Sequence, residues 1–258
     1  MLEAIELTKR YEDNELALDG LTFKVEPGEI FCMFGANGAG KTTTINLFLN
    51  FIPPTSGTAL IEGIDVAKDP LGAKRHVSFV SENVMLYGNF TAIQNLDYFS
   101  KLAGKRSLAK KDYAEVLVRV GLQKEAFDQR VKNFSKGMRQ KLGIAIAVVK
   151  DAANVLLDEP TSGLDPQAGR EFLEILVQMR DKGKSVFMST HDIFRAKLIA
   201  DRIGFMRRGR LVMMKTAADL AHEDLTDLYI QYMEEQPAAP AVTPAAPAVC
   251  AAGAARPR

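Results

Sequence analysis

This sequence has almost no excess charge of either sign. Its 258 residues hold 33 Lys and Arg against 32 Asp and Glu, a net charge of +1. No basic field marks a nucleic-acid binder, so no nucleic acid is expected as a partner. Cysteine is scarce as well: Cys32 sits in an apolar run and Cys250 near the C-terminus. Two such residues read as one packed thiol and one isolated thiol rather than a disulfide. Long hydrophobic runs are missing. The longest, Ile144 to Val149, falls far short of the roughly 20 apolar residues that cross a bilayer. A positively charged start followed by an apolar stretch is also missing, so no signal peptide is expected and the chain reads as cytoplasmic. What remains is ordinary, with 47% hydrophobic and 25% charged residues, as in a soluble globular protein. The length suits one large domain or two small ones.

Against this background one stretch stands out: Gly35, Ala36, Asn37, Gly38, Ala39, Gly40, Lys41, Thr42, Thr43. It fits G-x-x-x-x-G-K-[ST], a phosphate-binding P-loop. A short apolar run, Glu29 to Phe34, precedes it as a buried strand, and a helical pattern follows until Pro53-Pro54. Glycines let successive N–H groups turn inward as an anion nest, and the helix start adds further unpaired N–H groups. Lys41 is expected to reach the β- and γ-phosphates, and the Thr42 hydroxyl to bind Mg²⁺.

Elsewhere the chain changes character along its length. Residues 2–7 and 16–34 alternate apolar and polar, and short strand-like runs recur at 58–63 and 77–80. From Thr91 to about Val149 the spacing is helical, as in Ile93, Leu96, Phe99 and Leu102. Strand-like runs return at 154–157, 185–188 and 202–206, separated by helical stretches near 167–180 and 193–200. That alternation predicts right-handed crossovers and a largely parallel sheet. The long interval between Lys41 and Asp158 calls for a helical subdomain, at about residues 85–150. Helices are expected again within 216–236. Residues 237–258 are almost wholly Ala, Pro and Val, so a disordered tail is expected there.

A second constellation supports the first. Val155-Leu156-Leu157-Asp158-Glu159 is an apolar run ending in two carboxylates, and ligands in open α/β sheets bind at such strand ends. Asp158 is expected to hold Mg²⁺ and Glu159 to deprotonate an attacking water. His191 also ends an apolar run and can lie beside Glu159. Ser135 in Asn133-Phe134-Ser135-Lys136-Gly137-Met138 reads as a helix N-cap, and a serine, a glycine and a helix start make a second anion site.

Together these residues resemble the nucleotide-binding subunit of an ATP-binding-cassette (ABC) transporter over about residues 1–215. The resemblance implies an α/β fold: a RecA-like P-loop NTPase core, an N-terminal antiparallel β subdomain and a helical subdomain. It implies ATP and Mg²⁺ as cofactors, a second nucleotide-binding subunit, and a separate membrane permease with the chain peripheral on the inner face of the cell membrane. Ser135 and Gly137 match the family's signature segment, which binds the γ-phosphate held by the partner's P-loop. Tyr11 falls at the position that stacks on adenine, Asp165 at the acid that bridges subunits, and His191 at the switch histidine.

Three departures from the family pattern stand in the sequence. Ala36 replaces a usual proline. Glu82 stands where the family has glutamine, placing an extra acceptor-only charge near Mg²⁺, so that it becomes a further candidate metal contact. Lys136 and Met138 replace a glycine and a glutamine, and the form Phe134-Ser135-Lys136-Gly137-Met138-Arg139 is similar to that of ABC-2-type exporter ATPases. Met85, Leu86, Tyr87 and Phe90 offer either a groove for a permease helix or simple packing. The alternative function is a soluble ABC ATPase acting on ribosomes or DNA. A single cassette without heptads or a basic stripe counts against it.

Overall fold

The computed structural model describes residues 1–105, 108–221, 227, 228 and 232. The segment 237–258, expected to be disordered, lies outside the described residues, as does most of 222–236.

In chain order, β1 (Leu2–Arg10) and β2 (Leu16–Val25) pair as antiparallel strands, and β3 (Ile30–Phe34) leads into α1 (Lys41–Phe48). The alternating stretch 16–34 is thus two strands, because Pro27 cannot donate to a ladder and Gly28 turns the chain at φ 73°. Next come β4 (Ser56–Ile61), β5 (Ile64–Asp65), α2 (Pro70–Arg75) and β6 (Val77–Val80). The helical stretch resolves into α3 (Ala92–Leu102), α4 (Lys110–Arg119), two 3-10 turns and α5 (Lys136–Lys150). Strands and helices then alternate: β7 (Asn154–Asp158), α6 (Pro166–Asp181), β8 (Ser185–Thr190), α7 (Ile193–Ile199) and β9 (Arg202–Arg207). The last described elements are β10 (Arg210–Thr216) and α8 (Ala217–Ala221).

Neither β10 nor α2 was legible in the sequence. β10 carries apolar residues on both faces, with Leu211 and Met213 half-buried and Val212 and Met214 exposed, so no alternation marks it. It is held by a two-residue turn in which Arg208 (φ 48°) and Gly209 (φ 80°) are both left-handed, the geometry of tight hairpins. α2 is short but signposted: Asp69 accepts from the Gly72 N–H, and Pro70 opens the helix.

Two sheets result. One is antiparallel in the order β2-β1-β4-β5; the other runs β10-β9-β3-β8-β7-β6, parallel except for its β10 edge. The larger sheet has a core on each face. Along β3, Ile30, Cys32 and Phe34 join the core beneath the helices, while Phe31 and Met33 join the core beneath the antiparallel sheet. β7 and β8 divide the same way, with Leu156 and Phe187 turned toward the antiparallel sheet. This strict period of two is what a strand with both faces covered requires. Phe23, Phe31 and Phe187 stack with centroids 5.2–6.0 Å apart and tie the two sheets together.

Helix starts are set by local chemistry. Thr91 and Gln94 form a reciprocal capping box on α3, Ser135 accepts from the Met138 N–H on α5, and Asp192 accepts from the Arg195 N–H on α7. Helix α5 ends where Asp151 turns left-handed at φ 55°. The helices α3, α4 and α5 pack on one another, as the helical spacing predicts.

Candidate functional site

Strand register brings the predicted residues to one edge. Phe34 pairs with Thr190, Asp158 with Ser189, and Val80 with Leu157. The segments that follow, Gly35–Thr43, Glu159, His191 and Ser81–Glu82, therefore emerge side by side at the carboxyl ends of parallel strands. A cleft of about 320 Å³ opens there, lined by Tyr11, Glu15, Ala17, Ala36 to Thr43, Glu82, Asp158 and Glu159.

The loop after β3 has the nest geometry its glycines allow. Gly38 and Gly40 are left-handed, at φ 78° and 109°, and Gly40 caps α1 without any side-chain bond to the helix N–H groups. Those N–H groups remain available to an anion. Gly35 is required for another reason: a Cβ there would lie 2.5 Å from the Met206 carbonyl oxygen. Lys41 is buried and folds back on its own loop, donating to the Gly35 and Ala36 carbonyls at 2.6 and 3.2 Å.

Glu159 lies at the centre of the site. One oxygen, Oε2, lies 2.8 Å from His191 Nδ1 and accepts from the His191 N–H at 3.3 Å. The other, Oε1, is 3.3 Å from Lys41 Nζ, yet no donor is aligned to hydrogen-bond it among the described residues. A buried acceptor without an aligned donor, beside the P-loop lysine, suits a residue that takes a proton once a water reaches it. Its backbone is left-handed at φ 45°, a conformation that costs a non-glycine residue about 1–2 kcal/mol. The Glu159 N–H offsets this by donating to both the Ser189 carbonyl (3.2 Å) and Ser189 Oγ (3.1 Å).

Beside it, Thr42 Oγ1 donates to Asp158 Oδ1 at 3.2 Å, and Ser189 Oγ donates to the same oxygen at 2.6 Å. A hydroxyl and a carboxylate at this spacing offer the hard oxygen ligands that Mg²⁺ takes when phosphates and waters complete its shell. Among the described residues no group of three His, Cys, Asp or Glu could cage a metal unaided. The donor set therefore fits a metal that arrives with a phosphate ligand.

Tyr11 lines the cleft mouth with Lys9 Nζ 5.3 Å from its ring centre. Glu82 also lines the cleft, but its Oε1 is engaged elsewhere: Ser162 Oγ donates to it at 2.9 Å and Lys136 Nζ lies 3.5 Å away. Gln140 donates to the Ser81 and Glu82 carbonyls, so α5 grips this segment through both side chain and backbone. Ser135, Gly137 and Asp165 are not in the cleft lining. Asp165 Oδ1 caps α6 through the Ala168 N–H at 2.9 Å.

Ser189 and Gln140, to which sequence reasoning gave no part, both act here. Ser189 is fully buried, and a hydroxyl directly after the apolar run Val186-Phe187-Met188 was the available signal. Gln140 gave no signal, since its partners are backbone carbonyls distant in sequence. Arg195, similarly silent, clamps the Thr161 and Leu164 carbonyls of the loop before α6.

The family described as ABC transporter matches residues 18–162. The probable multidrug ABC transporter ATP-binding protein YbhF of Escherichia coli is 36% identical over 227 residues, 88% of this chain. The chain spans only 39% of that relative's length. The linearmycin resistance ATP-binding protein LnrL of Bacillus subtilis is 34% identical over 90% of this chain and 74% of its own length. Among solved structures, an ATP-binding subunit of an ABC transporter superposes with a TM-score of 0.81 at 29% identity, covering 91% of this chain and 100% of that one. With the P-loop, Asp158–Glu159 and His191 brought to one edge of a sheet of this topology, the chain belongs to the ABC transporter family.

Proposed function

We propose that this chain binds and hydrolyses ATP as the motor subunit of a membrane exporter whose permease is a separate protein. The observation that carries the reading is the junction at Glu159, where one carboxylate meets the P-loop lysine and a histidine while one of its buried oxygens has no hydrogen-bond donor among the described residues.

In this reading the triphosphate lies along the N–H groups of Gly38 to Thr42, and Lys41 leaves its carbonyls for the β- and γ-phosphates. Tyr11 stacks on the base. Glu159 takes a proton as water attacks the γ-phosphorus, the bond to the β-γ bridging oxygen breaks, and ADP departs with the electron pair. His191 fixes the Glu159 carboxylate and approaches the γ-phosphate. Thr42 and Asp158 would hold Mg²⁺, with Glu82 as a further acceptor at its rim; the ion neutralises phosphate charge. Ser135 and Gly137, away from their own cleft, complete the site of a second copy, and Asp165 meets that copy with the carboxylate oxygen not used in capping.

A second cavity of about 380 Å³ gives the permease a place to dock. Met85, Leu86, Val84, Phe99 and Leu102 line it, and Met85 is 84% exposed. Tyr87 and Phe90 instead pack on α3, the Tyr87 hydroxyl meeting that of Tyr98 at 3.1 Å. No described helix is long and apolar enough to cross a membrane. The export assignment rests on the Phe134–Arg139 sequence and on relatives named for multidrug transport and for linearmycin resistance.

Turnover by the purified chain tests the motor reading. Phosphate release should require Mg²⁺ and rise with the square of subunit concentration at low concentration. Ser135→Arg should abolish that release while leaving ATP binding intact. Equal turnover by the variant would refute the composite site. Co-purification with an integral membrane protein tests the partner, and capture of ribosomes or DNA instead would replace it.

A further inference from the structure

The P-loop is braced from behind by one residue. Met206, near the end of β9, reaches both ends of the loop: its carbonyl oxygen abuts Gly35 closely enough to forbid a Cβ there, and its terminal methyl packs against Gly40. The turn just beyond it adds a third hold, since the Gly209 N–H donates to the Ala39 carbonyl at 2.9 Å. The carbonyl that presses on Gly35 is itself held. Tyr232, from the segment beyond α8, is buried and donates its hydroxyl to the Met206 carbonyl at 2.6 Å. Its ring stands edge-on to Phe34, the residue immediately before Gly35, with centroids 5.4 Å apart. Arg207 donates to the Tyr232 carbonyl at 3.1 Å, so the clasp is closed from both sides. Leu228, four residues earlier, is buried in the same core.

We propose that Tyr232 is a positioning residue for nucleotide binding, fixing the phosphate-binding loop through Met206 and making affinity for ATP depend on the segment after α8. The inference rests on the reading of Gly35–Thr43 as the ATP site. A nest of N–H groups binds phosphate well only if its backbone is already shaped, because ordering a loose loop is subtracted from binding. The bond to Met206 acts on the loop's first glycine, whose N–H is anchored on its other flank by the Thr190 carbonyl at 3.2 Å. Loss of the hydroxyl removes the side-chain donor that holds this carbonyl against Gly35.

The test compares the wild-type chain with Tyr232→Phe, which keeps the ring, and Tyr232→Leu, which removes the edge contact with Phe34. Dissociation constants for ATP and ADP are measured with the full chain at temperatures where circular dichroism shows each protein folded. The expected result is a rise of about three- to tenfold for both nucleotides in Tyr232→Phe and more in Tyr232→Leu. KM for turnover should rise by the same factor with kcat at saturation unchanged, because Tyr232 touches no reacting group. A residue that merely stabilises the fold would lower the melting temperature and leave both constants alone. Unchanged affinities in the two folded variants overturn the proposal; failure of the wild-type chain itself to bind ATP overturns the site reading and this inference with it.

Discussion

Replacing Glu159 by Gln should do two opposite things to this site. At rest Lys41 Nζ lies 3.3 Å from Glu159 Oε1, with side chains only 6% and 13% exposed. At an effective dielectric of about 20 that separation corresponds to about 5 kcal/mol of attraction. Desolvation of both charges offsets most of it, so a net of about 1–2 kcal/mol holds the lysine away from an incoming phosphate. Glutamine keeps a carbonyl for His191 and removes the charge that holds Lys41 and repels the nucleotide. ATP should therefore bind about 5- to 30-fold more tightly. Turnover should fall about 10²- to 10⁴-fold, since an amide cannot take the proton. Equilibrium dialysis with labelled ATP reads the first effect and single-turnover phosphate release the second. A fall in turnover of less than tenfold refutes Glu159 as the base. Unchanged or weaker ATP binding refutes the idea that the carboxylate restrains Lys41.

Other expectations follow from single contacts. Gly35→Ala, whose Cβ would meet the Met206 carbonyl at 2.5 Å, should weaken ATP binding far more than Gly38→Ala, whose Cβ meets nothing within 4 Å. The second substitution carries only the backbone strain of φ 78°, about 1 kcal/mol, and equal losses of affinity would contradict this. A double-mutant cycle with Glu82→Gln and Lys136→Met should give a coupling below ~1 kcal/mol in chemical denaturation, because these side chains are 43% and 36% exposed. A larger coupling would mean that the pair locks α5 to the cleft. Burial pushes the Cys32 thiol well above its usual range, so in a Cys250→Ser background a thiol reagent should label nothing until the chain unfolds. Stoichiometric labelling of the native protein within minutes would show that β3 is not the closed central strand described.

Much of the site was legible because its chemistry is local in sequence. Lys41, Thr42, Asp158 and His191 each follow an apolar strand, and a strand end in a parallel sheet is where ligands bind. The apolar run before the P-loop already marked the second strand within 16–34, and Pro27-Gly28 carried the break. β10 was invisible because a hairpin edge with apolar residues on both faces has no period to detect. Glu82 shows a deeper limit. Its identity suggested a contact near Mg²⁺, but its Oε1 partners, Ser162 and Lys136, come from two other loops that only the folded chain brings together. Tyr232 is similar: nothing in its neighbourhood announces that it ends beneath the P-loop.

The two-sided core has a consequence for how this site tolerates change. A register error in an ordinary one-faced sheet exchanges one apolar face for solvent. Here a one-residue slip of β8 against β7 would swap residues between two differently shaped cores, misplacing Phe187 on one side and Val186 and Met188 on the other. Alignment is thus guarded twice, and the Ser189–Asp158 bond inherits that precision without contributing to it. Insertions in surface loops can leave the chemistry intact, whereas a volume change at Leu156 or Phe187, on the face packed against α1 and the antiparallel sheet, would reach Glu159 through the ladder.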